Sequence, residues 1–206
     1  ISTGMKDNKF GITYNNALAL YIKASKLSSL NIIGIDFHIG SQITSIQPYL
    51  DSIKSVRSLV SELKKENINI THIDVGGGLG ISYEDEDIVS KGDYIKEITN
   101  SLKDLNLTIL FEPGRSVIGD CGLLVTKLQY IKESEAKNFM IVDASMSELL
   151  RPPLYDAFHK ITPVIKRNTN YKTYDIVGPV CESADFLGKE RLMNSEVDDF
   201  LVIEDV

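Results

Sequence analysis

The sequence predicts an α/β fold: the C-terminal half of a (β/α)8 TIM-type barrel over residues 1–117, followed by a mostly antiparallel β-rich domain over residues 118–206. Two observations carry the barrel. The apolar runs NIIGIDF (31–37), INITHIDV (68–75) and LTILF (107–111) each end in a short polar sequence, and those ends, at His38, Gly76 and Glu112, fall 38 and 36 residues apart. Each interval holds one amphipathic helix, which is the step of a barrel whose strands deliver functional groups to one rim. The third observation is the change after Arg115. There LLVTKLQYI (123–131), FMIVDA (139–144), ITPVI (161–165), YDIVGPV (174–180) and FLVI (200–203) read as strands, with one short helix near 146–159. That pattern marks a separate β-rich domain.

In chain order, KFGI (9–12) is a candidate strand, and Ala17, Leu20, Ala24 and Leu27 mark one face of a helix before the first clear strand. Ile53, Val56, Val60 and Leu63 repeat the pattern, as do Ile95, Ile98, Leu102 and Leu105. These are the outer-ring helices. The strands between them are nearly continuous in Ile, Val, Leu and Phe, which suits parallel strands buried on both faces. The acidic stretch Glu84 to Asp87 reads as a solvated loop after the Gly-rich turn. Three clear strands and a candidate fourth leave about half of an eight-stranded barrel outside the sequence.

Composition excludes several classes. With 43% hydrophobic and 25% charged residues the chain is ordinary globular material, and its apolar runs are far shorter than the roughly 20 residues that cross a bilayer. A net charge of −7 argues against nucleic acid, whose phosphates are held by basic surfaces. A small-molecule substrate needs only local positive charge. Two cysteines are too few for a disulfide framework and fit a reducing, cytoplasmic setting. The sequence starts at Ile1 without a Met and stops on the apolar LVIEDV, so a segment of a longer protein is expected.

The polar ends carry the chemistry. Gly76-Gly77-Gly78 lets backbone N–H groups converge on a phosphate without Cβ obstruction, although a tight loop without ligand has the same composition. It is not a dinucleotide fingerprint, because GGGLG lacks the GxGxxG pattern. Glu112 at a strand end could keep a pyridinium N–H protonated, and Arg115 could hold a phosphate or carboxylate through its planar fork. A local Glu112–Arg115 ion pair is the competing reading. His38 could stack on a flat cofactor and Ser41 could bond a phosphate, or His38 could be a satisfied structural residue.

The series HIGSQ, DVGGGLGISY, FEPGR, SELLRPPLYDAFH and GPVCESADFLG resembles the diaminopimelate decarboxylase family, pyridoxal-phosphate enzymes of the alanine racemase/ornithine decarboxylase fold. The resemblance covers essentially the whole chain, with five motifs in the family's order. It implies pyridoxal 5'-phosphate as cofactor, with His38 on the ring, Glu112 at the ring nitrogen, and Ser41, Gly77, Gly78, Gly114 and Arg115 around the phosphate or a substrate carboxylate. The implied reaction removes CO2 from meso-2,6-diaminopimelate to give L-lysine, the last step of lysine biosynthesis.

The substrate side follows from the same resemblance. A second amino-acid head needs an arginine as well as an acid, and Arg115, Arg151, Tyr155 and Glu182 meet that need. A decarboxylase of purely cationic tails has no use for Arg151, which without its motif would read as a surface arginine. Arg151 and Tyr155 share a face if their stretch is helical, with Pro152 and Pro153 confined to its first turn. Cys181 is implied to be the catalytic acid that reprotonates the substrate carbon, reaching in from the second subunit of a homodimer; a small buried residue is its alternative. Cys121 and His72 read as structural, and His159 falls at the end of the short helix. No metal site is expected.

The family's covalent cofactor lysine lies in a YAxKAN-like sequence that is absent here, since Lys6, Lys9 and Lys23 have the wrong neighbours. The family's C-terminal GAYG region is absent too. These 206 residues alone are therefore expected to be inactive. A related decarboxylase for another amino acid, a non-catalytic homologue and a phosphate-binding barrel without pyridoxal are the rival readings.

Overall fold

The computed structural model describes residues 9–206, so Lys6 lies outside the described residues. The chain divides into two compact units, residues 1–82 with 87–117, and residues 83–86 with 118–206.

The first unit is three strand–helix steps. Helix α1 (Tyr14–Ala24) precedes β1 (Gly34–Asp36), α2 (Gln47–Lys65) leads to β2 (His72–Asp74), and α3 (Lys91–Leu102) with a short 3-10 turn leads to β3 (Thr108–Leu110). The strands form one parallel sheet in the order β1-β2-β3, in register at Ile35, Ile73 and Ile109. KFGI is not a strand; residues 9–13 are bend and coil.

Local chemistry sets the helix ends. Pro48 opens α2 at a position where no N–H is needed. Asn67, at φ 56°, closes it in a Schellman motif, with Ile68 N donating to Leu63 O at 2.9 Å and Asn67 N to Lys64 O at 3.2 Å. Ser90 caps α3 by accepting from Asp93 N, and its hydroxyl donates back to Asp93 Oδ2 at 2.8 Å.

The core lies between these helices and one face of the sheet. Ile53, Val56, Leu59 and Leu63 of α2 meet Ile35 and Ile73, and Tyr94, Ile98 and Leu102 of α3 complete it. Two faces differ from expectation by one position. On α1, Ala17, Leu18, Tyr21 and Ile22 pack inward while Leu20 and Leu27 are exposed, because the Tyr21 hydroxyl donates to the Gly34 carbonyl at 2.9 Å. On α3, Tyr94 rather than Ile95 enters the core, where its ring meets Tyr49 edge-on at 4.8 Å. Nor are the strands covered on both faces, since Asp36 and Leu110 are exposed on the face that no helix among the described residues covers.

The second unit is β-rich. Short α4 (Arg115–Ile118) leads into β4 (Leu123–Lys132), followed by β5 (Phe139–Val142), α5 (Arg151–Tyr155), β6 (Ile161–Pro163), β7 (Lys172–Val177), β8 (Phe186–Met193) and β9 (Phe200–Glu204). They form one six-stranded sheet, β6-β9-β4-β5-β7-β8, antiparallel except for β5 against β7. β8 is absent from the sequence reading because FLGKERLM carries Gly188 and three charged residues, and its pairing with β7 supplies what its composition lacks. Leu128, Met140, Ile176, Leu187 and Leu201 form a core separate from the first. The helix near 146–159 shrinks to the five residues of α5, with both prolines in its first turn. Among the described residues no helix is long and apolar enough to cross a membrane.

Candidate active site

The parallel ladder of the first unit continues past the strands. Phe37 N donates to Asp74 O, Val75 N to Leu110 O and Glu112 N to Gly76 O, at 3.1, 3.0 and 2.9 Å. His38, the glycine turn and Glu112 therefore stand side by side although the sequence separates them widely. The turn is built from close approaches. A Cβ on Gly77 would run into the Glu112 carbonyl, and one on Gly78, at φ 94°, into the Gly40 carbonyl. From below, the buried Tyr49 hydroxyl donates to Gly77 O at 3.1 Å. Burial first, and Tyr94 second, push the Tyr49 phenol far above the ordinary tyrosine range, so it remains a donor.

Two of the three glycine amides turn inward. Gly76 N donates to Asp74 Oδ1 at 2.9 Å and Gly77 N to His38 Nδ1 at 3.2 Å. An imidazole nitrogen that accepts from an amide carries no proton, so neutral His38 holds its proton on Nε2. Arg115 spreads its fork between Ser41 Oγ and Gln42 Oε1, both at 3.2 Å, rather than reading as the local partner of Glu112. Gln42, at φ 59°, braces the same corner by exchanging two hydrogen bonds with the backbone of Ile81. Sequence reasoning missed Gln42 and Tyr49; a left-handed glutamine and a buried phenol leave no periodic trace. Gly114 is exposed in open space, so no packing demands a glycine there.

Carboxylates converge on this rim. Oxygens of Asp36, Asp74 and Glu112 lie within 4.8 Å of one another. Burial first, and Asp74 second, raise the Asp36 carboxyl above its ordinary value. Such a cluster favours a positively charged group beside it. That, together with a neutral imidazole alongside, fits a flat cofactor with a basic ring nitrogen, while the glycines are required by the close approach of the Glu112 and Gly40 carbonyls. Gly76, Gly77, Phe111 and Pro113 also border an apolar cavity of about 190 Å³.

The second unit holds the other candidates. Cys181 and Glu182 lie exposed in the loop between β7 and β8, and Glu182 Oε1 accepts from Ser183 Oγ at 3.1 Å and from Ala184 N at 3.3 Å. Buried Asp185 anchors this loop: its carboxylate accepts from Met146 N at 2.6 Å and Val180 N at 2.8 Å, and its own carbonyl accepts from Gly178 N at 3.0 Å. The exposure of Cys181 in this unit differs from a buried structural thiol. Cys121, expected to pack, is exposed as well, with Sγ 3.7 Å from Asp120 Oδ1.

Arg151 and Tyr155 sit at the two ends of α5. Arg151 is half-buried and Tyr155 exposed. Arg151 Nη1 donates to Tyr83 Oη at 2.9 Å and meets His159 Nε2 at 3.1 Å. His159 is not at the helix end but beyond it, fully buried. His72 lies in β2, its Nδ1 2.7 Å from Thr71 Oγ1.

A family model described as the pyridoxal binding domain of pyridoxal-dependent decarboxylases matches residues 1–119. The chain is 45% identical over 203 residues to a diaminopimelate decarboxylase of Pseudomonas aeruginosa, covering 98% of this chain and 49% of that protein. It is 46% identical over 204 residues to one of Vibrio cholerae, with the same coverage. A crystal structure of diaminopimelate decarboxylase from Helicobacter pylori complexed with L-lysine superposes with a TM-score of 0.91 at 39% identity, over 100% of this chain and 51% of that one. The chain thus spans about half the length of the relatives it matches.

Proposed function

Because the chain belongs to the pyridoxal-dependent decarboxylase family, we propose that the protein carrying it decarboxylates meso-2,6-diaminopimelate to L-lysine with pyridoxal 5'-phosphate. The observation that carries the proposal is the rim, where neutral His38, a sterically enforced glycine turn and the Glu112 carboxylate stand on three adjacent parallel strand ends. The cofactor, when bound, supplies an electron sink for the carbon that loses CO2.

The residues of this chain do the rest. Glu112, reinforced by Asp36 and Asp74, keeps a proton on the ring nitrogen. His38 offers its neutral face to the ring, and Ser41, Gly77, Gly78 and Gly114 surround the phosphate, with the Gly77 amide engaged by His38 Nδ1. Arg115 and Arg151 hold substrate carboxylates by their forks, Tyr155 adds a hydroxyl, and Glu182 receives the distal ammonium. Cys181 delivers the proton that replaces CO2. Its exposure on a loop of the β-rich unit supports a homodimer in which it serves the partner's site. The lysine that holds the cofactor covalently is supplied from outside residues 1–206, and a cytoplasmic location is part of the same reading.

The test is an assay of the full-length protein against diaminopimelate, ornithine and arginine. Lysine from diaminopimelate alone is expected, together with the visible absorbance of bound cofactor. Activity on ornithine alone would overturn the substrate, and absence of that absorbance would overturn the cofactor.

A further inference from the structure

We propose that His159, with Tyr83, positions Arg151 so that only one edge of its guanidinium faces the substrate. The inference rests on the reading that Arg151 binds a substrate carboxylate. His159 is 0% exposed, which makes every bond of its ring consequential. Its Nδ1 lies 3.0 Å from the Glu204 carbonyl, a group that only accepts, so the proton is on Nδ1. Its Nε2 lies 3.1 Å from Arg151 Nη1, a group that only donates, so Nε2 presents a lone pair. A second proton on Nε2 would point at a guanidinium N–H. The contacts therefore define one neutral tautomer.

The other N–H of the same Nη1 goes to Tyr83 Oη at 2.9 Å. Tyr83 also holds the group by its face: the guanidinium carbon stands 5.2 Å from the ring centroid, and the Tyr83 ring meets His159 edge-on at 5.5 Å and 76°. Both protons of Nη1 are thus committed. Among the described residues no hydrogen bond engages Nε or Nη2, which leaves the edge formed by Nε–H and Nη2–H available for a ligand. Two parallel N–H groups on one edge match the two oxygens of a carboxylate, and a guanidinium whose rotation is fixed loses less entropy in binding it. His159 is accordingly a positioning residue that sets specificity for a carboxylate at this arginine.

The test uses the full-length protein. His159→Phe keeps the ring packing and removes both nitrogens, and it should raise KM for diaminopimelate about tenfold or more with a much smaller change in kcat and unchanged cofactor absorbance. His159→Gln, which returns an acceptor near Nε2, should recover most of that loss, and Tyr83→Phe should raise KM by less. Equal losses in the Phe and Gln variants, or a fall in kcat at constant KM, would overturn the proposal. A second readout is independent of catalysis and of the folding of these variants. In wild-type protein labelled with ¹⁵N-histidine, the His159 nitrogens should show the Nδ1–H tautomer at neutral pH, and Arg151→Met, which leaves the Glu204 carbonyl on Nδ1 but removes the donor at Nε2, should keep that tautomer and shift the Nε2 resonance alone. An Nε2–H or doubly protonated ring in the wild type would overturn the positioning role. If the wild type makes no lysine, the proposed function fails while the tautomer still decides the role of His159.

Discussion

In the barrel segment the backbone brings His38, Gly77 and Glu112 together, whereas in the β-rich unit side chains anchor Arg151 and the Cys181 loop separately. The first unit places His38, Gly77 and Glu112 side by side by extending one parallel ladder, and its side chains then refine what the backbone has arranged. The second unit holds Arg151 by a bond to Tyr83 across 68 residues of sequence, and His159 by one to Glu204 across 45. Asp185 ties the Cys181 loop to Met146 across 39. The difference teaches where each site is fragile. A ladder tolerates side-chain change but not an added Cβ; a side-chain network fails one polar atom at a time.

Four experiments bear on that contrast, and the largest effect is expected in the ladder. Gly77→Ala pushes a methyl into the Glu112 carbonyl, so two strand ends must separate. A loss of about 3 kcal/mol or more in denaturant unfolding is expected, together with loss of cofactor absorbance in the full-length protein. A near-neutral result would break the idea that packing demands this glycine. Asp185→Asn comes next. The amide keeps one acceptor but turns a donor toward a backbone N–H that now has no acceptor, which should cost about 2–3 kcal/mol and raise proteolytic cleavage near residue 181. Tyr49→Phe removes only the bond to Gly77 O and should cost about 1 kcal/mol, showing how little the ladder depends on a single side chain.

The smallest effect is pH-dependent. Arg167 holds the Asp199 carboxyl below its ordinary value through hydrogen bonds of 2.6 and 3.0 Å. A depressed carboxyl contributes stability that is fully present above its unfolded value of about 4 and is lost as pH falls through the lower folded value. The stability gap between wild type and Arg167→Ala should therefore be complete at neutral pH and close in acid. A gap that is constant with pH would assign the effect to packing.

Much of the barrel segment was legible in the sequence because its features are periodic. Three strands, three helices and three polar ends recur with one step, and a parallel ladder needs nothing else to align them. The misses there are local: a helix face turned by Tyr21, Tyr94 in place of Ile95, and a strand at 9–12 that does not form. In the β-rich unit, strands with dense β-branched content were visible, whereas β8 was hidden by its glycine and charges. Asp185 and His159 were hidden for another reason. One buried polar residue looks like any other until its distant partner is known.

The sequence by itself determined the element order, the change of architecture near Arg115 and the residue types offered at each strand end, since these follow from hydrophobic period and turn chemistry over short spans. Only the tertiary structure decided which partners the amides of the glycine turn meet, which tautomer His38 and His159 adopt, and which N–H groups of Arg151 are engaged. Those are decisions about single protons and lone pairs, and they depend on acceptors that the chain brings near only by folding.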